Sequence, residues 1–213
     1  MDNLDNISTV LLLAPHTDDG EFGCGGTIAR LLELNVRVVY VAFSICQQSI
    51  PEGLPLDILK TEMLHSMEHY GILEENRVIL DYPVRNFASH RQEILDDMIG
   101  LGRKYQPDLV FMPSAHDIHQ DHHTIAEEAM RAFKRTTLLG YEVPWNNYTF
   151  NNQAYICLEE RHIQKKIGAI ACYDTQKERN YAEESFIRGL ARTHGVQVGS
   201  EYAEVFEVVR WII

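Results

Sequence analysis

The sequence lacks any apolar stretch near the ~20 residues a membrane span needs, which excludes a spanning helix. Cysteine is scarce: Cys24, Cys46, Cys157 and Cys172 are the whole set. None forms a Cys-x-x-Cys pair, and their spacing suggests neither a zinc ribbon nor a disulfide scaffold but reduced thiols in a cytoplasmic protein. Positive charge is in deficit. Lys and Arg number 19 against 31 Asp and Glu, a formal charge of −12. That argues against nucleic acid as a partner, since polyanion binding needs a basic face. There is no internal repeat, no low-complexity tract and no linker-like segment. The start, Met1-Asp2-Asn3-Leu4-Asp5, has no signal-peptide layout.

What is present is an ordinary apolar content of 45% over 213 residues, enough for a substantial core. We read residues 1–213 as one domain. Val10 to Ala14 is a short, wholly apolar run and predicts a buried strand. Glycines follow, then helical spacing from Thr27 to Leu34, then a Val-rich strand from Val36 to Phe43. Strand, glycine turn, helix and strand make a βαβ unit with a parallel sheet. The alternation continues. Helices are predicted over Leu56–Tyr70, Arg91–Tyr105, His122–Lys134, Glu159–Cys172 and Glu178–Arg192. Strands are predicted over Arg77–Tyr82, Leu109–Met112, Thr136–Val143, Ala154–Leu158 and Tyr202–Ile213. The fold class is α/β with a mostly parallel sheet.

Gly23-Cys24-Gly25-Gly26 invites a dinucleotide reading, but the fit is poor. A fingerprint turn follows its strand at once and has an acid at the end of the next strand. Here polar residues intervene, and the next strand ends Ala42-Phe43-Ser44. Small residues that let a helix pack close to a sheet are the simpler account.

Two polar clusters carry the chemistry. Pro15-His16-Thr17-Asp18-Asp19-Gly20-Glu21 follows the first strand, and His116-Asp117-Ile118-His119-Gln120-Asp121-His122-His123 follows Leu109–Met112. In open α/β sheets, sites form beyond the carboxyl ends of the strands. If the two strands are neighbours, both clusters face one crevice. Asp18 and Asp19 alone would read as helix caps. Together the clusters suit a catalytic metal, which takes three protein ligands and leaves a position open. His16 and Asp19, three apart, and His122 at a helix start can supply them. Asp18 can then take a proton from the attacking water, and His119 can protonate the leaving group or steady an oxyanion. Asp121 can hold His119 in its useful tautomer. His65 and His69 are read as packing or exposed residues, and Asp117 and His123 as structural or outer-shell groups.

Those residues resemble a known family. Pro15-His16-Thr17-Asp18-Asp19 with Gly23-Cys24-Gly25-Gly26-Thr27, then His119-Gln120-Asp121-His122, is similar to the LmbE-like deacetylases, also called the PIG-L family. Gly195, Gly199 and Tyr202-Ala203-Glu204-Val205-Phe206 resemble its C-terminal pattern, and Tyr173-Asp174-Thr175-Gln176 a segment ending in Ser-Gln. The resemblance implies a Rossmann-like three-layer fold and a zinc-dependent hydrolase. Such an enzyme removes an N-acyl group, usually acetyl, from a small-molecule amino sugar or conjugate of the N-acetylglucosamine type. It implies His16, Asp19 and His122 as ligands of Zn²⁺, with Fe²⁺ or Co²⁺ as alternatives. It implies Asp18 as base, His119 as acid or electrostatic stabiliser and Asp121 as its orienter. Arg135 falls near an Arg that contacts the base in some relatives. Thr17 and Gln120 stand where Pro is common, and neither is a ligand position. Some relatives use a mobile Tyr, for which Tyr141, Tyr181 and Tyr202 are the candidates here. A homo-oligomer is compatible with the resemblance.

Substrate choice is expected in the loops. Ser44–Pro55 and Tyr82–Asn86 follow the second and third strands, and Arg85 and Arg91 are candidates for holding a polar substituent. Trp145 with Tyr148 is a candidate stacking platform. Two rival readings stand: another zinc amidase, acting on a thiol conjugate or a formyl group, and a zinc-binding protein without turnover.

Overall fold

The computed structural model describes residues 7–50 and 52–212. The acidic start, Pro51 and Ile213 therefore lie outside the described residues. In chain order the elements are β1 (Thr9–Ala14), α1 (Asp19–Glu33), β2 (Arg37–Ala42), α2 (Ile58–Tyr70), β3 (Arg77–Ile79), α3 (Arg91–Tyr105), β4 (Leu109–Pro113), α4 (Gln120–Ala132), β5 (Thr137–Tyr141), β6 (Ala154–Leu158), α5 (Glu160–Ile170), α6 (Glu184–Val198) and β7 (Tyr202–Arg210). They form one sheet of seven strands in the order β3-β2-β1-β4-β5-β7-β6. The first five are parallel, and β7 and β6 add an antiparallel edge.

Strand side chains alternate between faces, so β1 feeds two cores. Val10, Leu12 and Ala14 pack with Ile28 and Leu31 of α1, Met63 and Met67 of α2 and Ile163 of α5. Leu11 and Leu13 point the other way, to Ile94 and Met98 of α3 and Ile125 and Ala129 of α4. Helices on both faces of a mostly parallel sheet make the three-layer, doubly wound α/β architecture. β1 pairs directly with β4, Val10 opposite Leu109. The connection from β1 leads to β2 on one side, while β4 lies on the other. The chain therefore reverses its winding between β1 and β4, where such sheets open a crevice. Both polar clusters leave the sheet at that crevice. Among the described residues no helix is long and apolar enough to cross a membrane.

Several boundaries differ from the sequence reading, and three of the elements concerned have a clear physical reason. The first helix begins at Asp19, not Thr27, and is interrupted where Cys24 leaves helical geometry (φ −146°, ψ 29°). The glycines sit inside this element because side chains would not fit. A Cβ on Gly23 would lie 2.3 Å from the Tyr141 ring, and one on Gly26 2.5 Å from Leu158. The last helix is displaced to Glu184–Val198. Residues Asn180–Ala182 form a separate short turn, and the helix runs through to Gly199, whose φ of 71° ends it. The third strand is only Arg77–Ile79. Beyond it the chain still follows β2, with Leu80 N–H on Ala42 O and Tyr82 N–H on Phe43 O, until Pro83.

Candidate metal centre

β1 ends at Ala14, and the chain turns so that His16 and Asp19 meet. The His16 backbone N–H donates to Asp19 Oδ2 at 2.8 Å, and His16 Nδ1 lies 3.1 Å from the same oxygen. His122, on the first turn of α4, enters from β4. Its Nε2 is 3.1 Å from Asp19 Oδ2 and 3.2 Å from His16 Nδ1. Three donor atoms from two strand ends thus form a nearly equilateral triangle. A tetrahedral zinc with bonds of about 2.0–2.1 Å sets its ligand atoms roughly 3.3 Å apart. The donor set fits such an ion.

The other nitrogen of each imidazole meets a carboxylate. His16 Nε2 is 3.0 Å from Asp121 Oδ2, and His122 Nδ1 is 2.7 Å from Asp117 Oδ2. Carboxylates behind ligating imidazoles fix the ring and raise its basicity. Asp121 therefore corrects the sequence reading: its carboxylate holds His16, not the His119 ring. The reason is local helix geometry. His119 is the N-cap of α4, and its Nδ1 accepts from the Asp121 backbone N–H at 3.2 Å. The Asp121 side chain then points back across the crevice, where it also accepts from Arg85 N–H at 2.6 Å and Phe87 N–H at 3.3 Å.

His119 joins the cluster more loosely. Ligand atoms of His16, His119 and His122 lie within 4.8 Å of one another. We favour the His16–Asp19–His122 set as the metal-binding triangle, because its edges are shorter and it includes an anion. Because Nδ1 of His119 accepts, the neutral ring carries its proton on Nε2. Burial and the neighbouring His122 and His16 lower the pKa of His119, favouring that neutral form.

Electrostatics divide the two adjacent aspartates. Burial would raise Asp19, but His122 and His16 hold it well below the usual carboxylate range. Burial and the charge of Asp19 push Asp18 up to about 7. Asp18 occupies the N-cap position of α1, yet its carboxylate makes no capping hydrogen bond. Burial would lower His122, but Asp19 and Asp117 hold it up at about 10. His16 is raised in the same way, Asp19 and Asp121 outweighing burial. Without a cation, Asp19 and the two histidines thus stabilise one another's charged forms.

The remaining predicted residues separate. Arg85 reaches the crevice through its backbone, in the left-handed region at φ 66°. Its guanidinium is exposed and donates to Ser49 Oγ at 3.3 Å. Arg135 lies between the far end of α4 and the start of β5, at the opposite edge of the sheet from the crevice, and is exposed. A 13-residue helix separates it from His119, about 20 Å at 1.5 Å per residue. That removes it from contact with Asp18. Arg91 pairs with buried Glu128 at 2.6 Å instead of facing a substrate. The Trp145 platform is already occupied, since its ring stacks on Tyr181 at 3.8 Å. Tyr141 is buried and donates to Leu13 O at 2.9 Å. His65 is exposed, and His69 Nε2 contacts Lys165 O at 3.1 Å.

One group was missed in the sequence. Glu21, fully buried, collects the hydroxyls of Tyr40, Ser66 and Tyr173. Tyr173 also lies 2.6 Å from Thr17 O, bracing the backbone between His16 and Asp18. The only signal was an acid among ligand-like residues at the start of an apolar segment.

Comparison with known proteins places the chain in a family. The family model described as PIG-L, GlcNAc-PI de-N-acetylase, matches residues 11–133, from β1 through α4. A diacetylchitobiose deacetylase of Thermococcus kodakarensis is 24% identical over 93% of this chain and 82% of its own length. The structure of N,N'-diacetylchitobiose deacetylase from Pyrococcus horikoshii superposes with a TM-score of 0.81 at 22% identity, covering 98% of this chain and 86% of that one. The 4-carboxy-2-hydroxymuconate hydratase GalB of Pseudomonas putida shares the fold at a TM-score of 0.79 and 17% identity, over 97% and 98% of the two chains. On the family match, which spans both strand ends and all three atoms of the triangle, this chain belongs to the PIG-L family.

Proposed function

We propose that this protein is a metal-dependent N-deacetylase that removes an acetyl group from a small amino sugar or amino-sugar conjugate. The observation that carries the reading is the His16–Asp19–His122 triangle with an uncommitted carboxylate, Asp18, beside it. A metal store has no use for that extra acid. The PIG-L match and the deacetylase relative support the choice of amide hydrolysis over the hydration carried out by GalB.

His16, Asp19 and His122 would hold the ion, zinc in this reading, with iron or cobalt as alternatives of similar ligand preference. A divalent cation there would supply a Lewis acid for the amide carbonyl and for water. Asp18 accepts a proton from the attacking water. As the carbonyl carbon becomes tetrahedral, His119 presents its Nε2–H to the developing oxyanion or the leaving nitrogen. Asp18 returns its proton to the amine, the C–N bond breaks, and acetate and a free amino sugar result. Asp121 and Asp117 keep the two ligand rings in place. Residues 1–213 form one deacetylase domain, which we place in the cytoplasm on its unpaired cysteines.

Acetate release from N-acetylglucosamine, its nucleotide-linked and glycosylated forms and chitooligosaccharides tests the reading with metal-loaded protein. Release from none of them would sink it in favour of another amidase or a binding role. Arg85, on the rim beside Ser49, is the substrate-holding residue of this scheme. Arg85→Ala is expected to raise KM by about 10-fold, the worth of one charged hydrogen bond, with kcat little changed. An unchanged KM on the best substrate would remove Arg85 from the site.

A further inference from the structure

The break in α1 has its own machinery, built from residues that take no part in the metal centre. In an unbroken helix Phe22 O and Gly26 N–H are partners four residues apart. Here Phe22 O accepts from Lys166 Nζ at 2.7 Å, and Gly26 N–H donates to Glu204 Oε1 at 3.0 Å. Thr27 N–H donates to Glu204 Oε2 at 2.7 Å. Lys166 and Glu204 complete the circuit with an ion pair of 2.7 Å. Both are buried, each 6% exposed. Glu204 is thus a carboxylate cap for the second half of the helix, and Lys166 caps the carbonyl end of the first half. The fit is close: a Cβ on Gly25 would come 2.6 Å from the Tyr70 hydroxyl and 2.8 Å from Lys166 Cγ, and one on Gly26 2.5 Å from Leu158 and 3.3 Å from Glu204 Oε1.

We propose that Lys166 and Glu204 are positioning residues for the metal centre, setting the direction of the segment from Asp18 to Gly23. That segment carries Asp19 and Asp18 but is only one turn long, so its own hydrogen bonds cannot orient it. Sharp kinks need an identifiable cause, and here the cause is an inserted ion pair. Lys166 comes from α5 and Glu204 from β7, so the antiparallel edge of the sheet aims residues at the parallel switch point. This accounts for the two sequence patterns that lie outside the site, Gly23-Cys24-Gly25-Gly26 and Tyr202-Ala203-Glu204-Val205-Phe206. The inference rests on the reading that His16, Asp19 and His122 hold a divalent cation.

The test uses the full chain with Lys166→Met/Glu204→Gln, which removes both charges together and avoids a buried lone ion. Zinc affinity is measured by competition with a chromogenic chelator, and amide exchange at Gly26 and Thr27 is followed in metal-free protein. Both zinc affinity and kcat are expected to fall by about 10- to 100-fold, the usual cost of losing support behind a metal site, while KM stays near wild type and the two amides exchange faster. Met98→Ala, on the buried face of α3, serves as the control. It lowers Tm but is expected to leave zinc affinity and kcat unchanged. Glu204→Asp, which keeps the charge but shortens the reach, is expected to lie between wild type and the double variant. A folded double variant with wild-type zinc affinity and kcat would overturn the proposal. So would failure of both the double variant and Glu204→Asp to fold, which would assign the pair to folding alone. If wild-type protein deacetylates no sugar, the functional reading fails, and zinc affinity and amide exchange still decide this one.

Discussion

Replacing Asp18 by asparagine is expected to reduce kcat by about 10²- to 10⁴-fold, the usual contribution of a positioned proton acceptor, with zinc retained. The substitution keeps shape and polarity but removes the basic oxygen. In the metal-free protein burial and Asp19 push Asp18 up to about 7, while Asp19 is held well below the ordinary range by His122 and His16. Asp19 thus stays ionised and suits a cation, and Asp18, which makes no capping hydrogen bond, is left to take the proton. Single-turnover acetate release with zinc content measured in parallel checks this. Wild-type turnover in Asp18→Asn would reassign the base, and loss of zinc would make Asp18 a ligand.

Zinc binding is expected to tighten steeply with pH, by about 10-fold per pH unit for each proton displaced. In the metal-free protein His122 titrates at about 10. At neutral pH its ring is therefore protonated and must lose a proton to become a ligand. Chelator competition at pH 6 and pH 8 should then differ by about 100-fold if one proton leaves, and calorimetry in two buffers should show that release. A pH-independent affinity would remove His122 from the ligand set. The stability of the metal-free protein moves the opposite way. A raised His122 pKa contributes stability that is fully present below about 6.5, its ordinary value, and is lost as pH rises through about 10. Zinc-loaded protein should not lose stability over that window, since the cation replaces the proton. Thermal melts of both forms at pH 6 and pH 10 measure the difference.

Much of the fold was legible because its strands are short apolar runs punctuated by polar residues. Arg91–Tyr105 and Ala154–Leu158 fall where periodicity predicts them. The start of α1 was misplaced because the glycines read as a turn, although Asp18 and Asp19 by themselves read as helix caps. Only packing against Tyr141 and Leu158 explains why glycines occupy a helix there. Asp121 was misassigned because sequence proximity favours His119, whereas the helix turn directs its carboxylate to His16, 105 positions away. Arg135 was misplaced because counting residues does not reveal that α4 leads away from the crevice.

The sequence by itself determined the chemistry on offer: two polar clusters at two strand ends, with imidazoles and carboxylates in numbers that suit one metal ion. Local composition and alternation carry that information. Tertiary structure decided which groups meet. The switch between β1 and β4 brings His122 within 3.2 Å of His16, and the Lys166–Glu204 pair joins α5 and β7 to the broken helix. Such contacts depend on strand order and on the buried hydrogen-bond partners of a helix break, and neither is encoded in residue spacing along the chain.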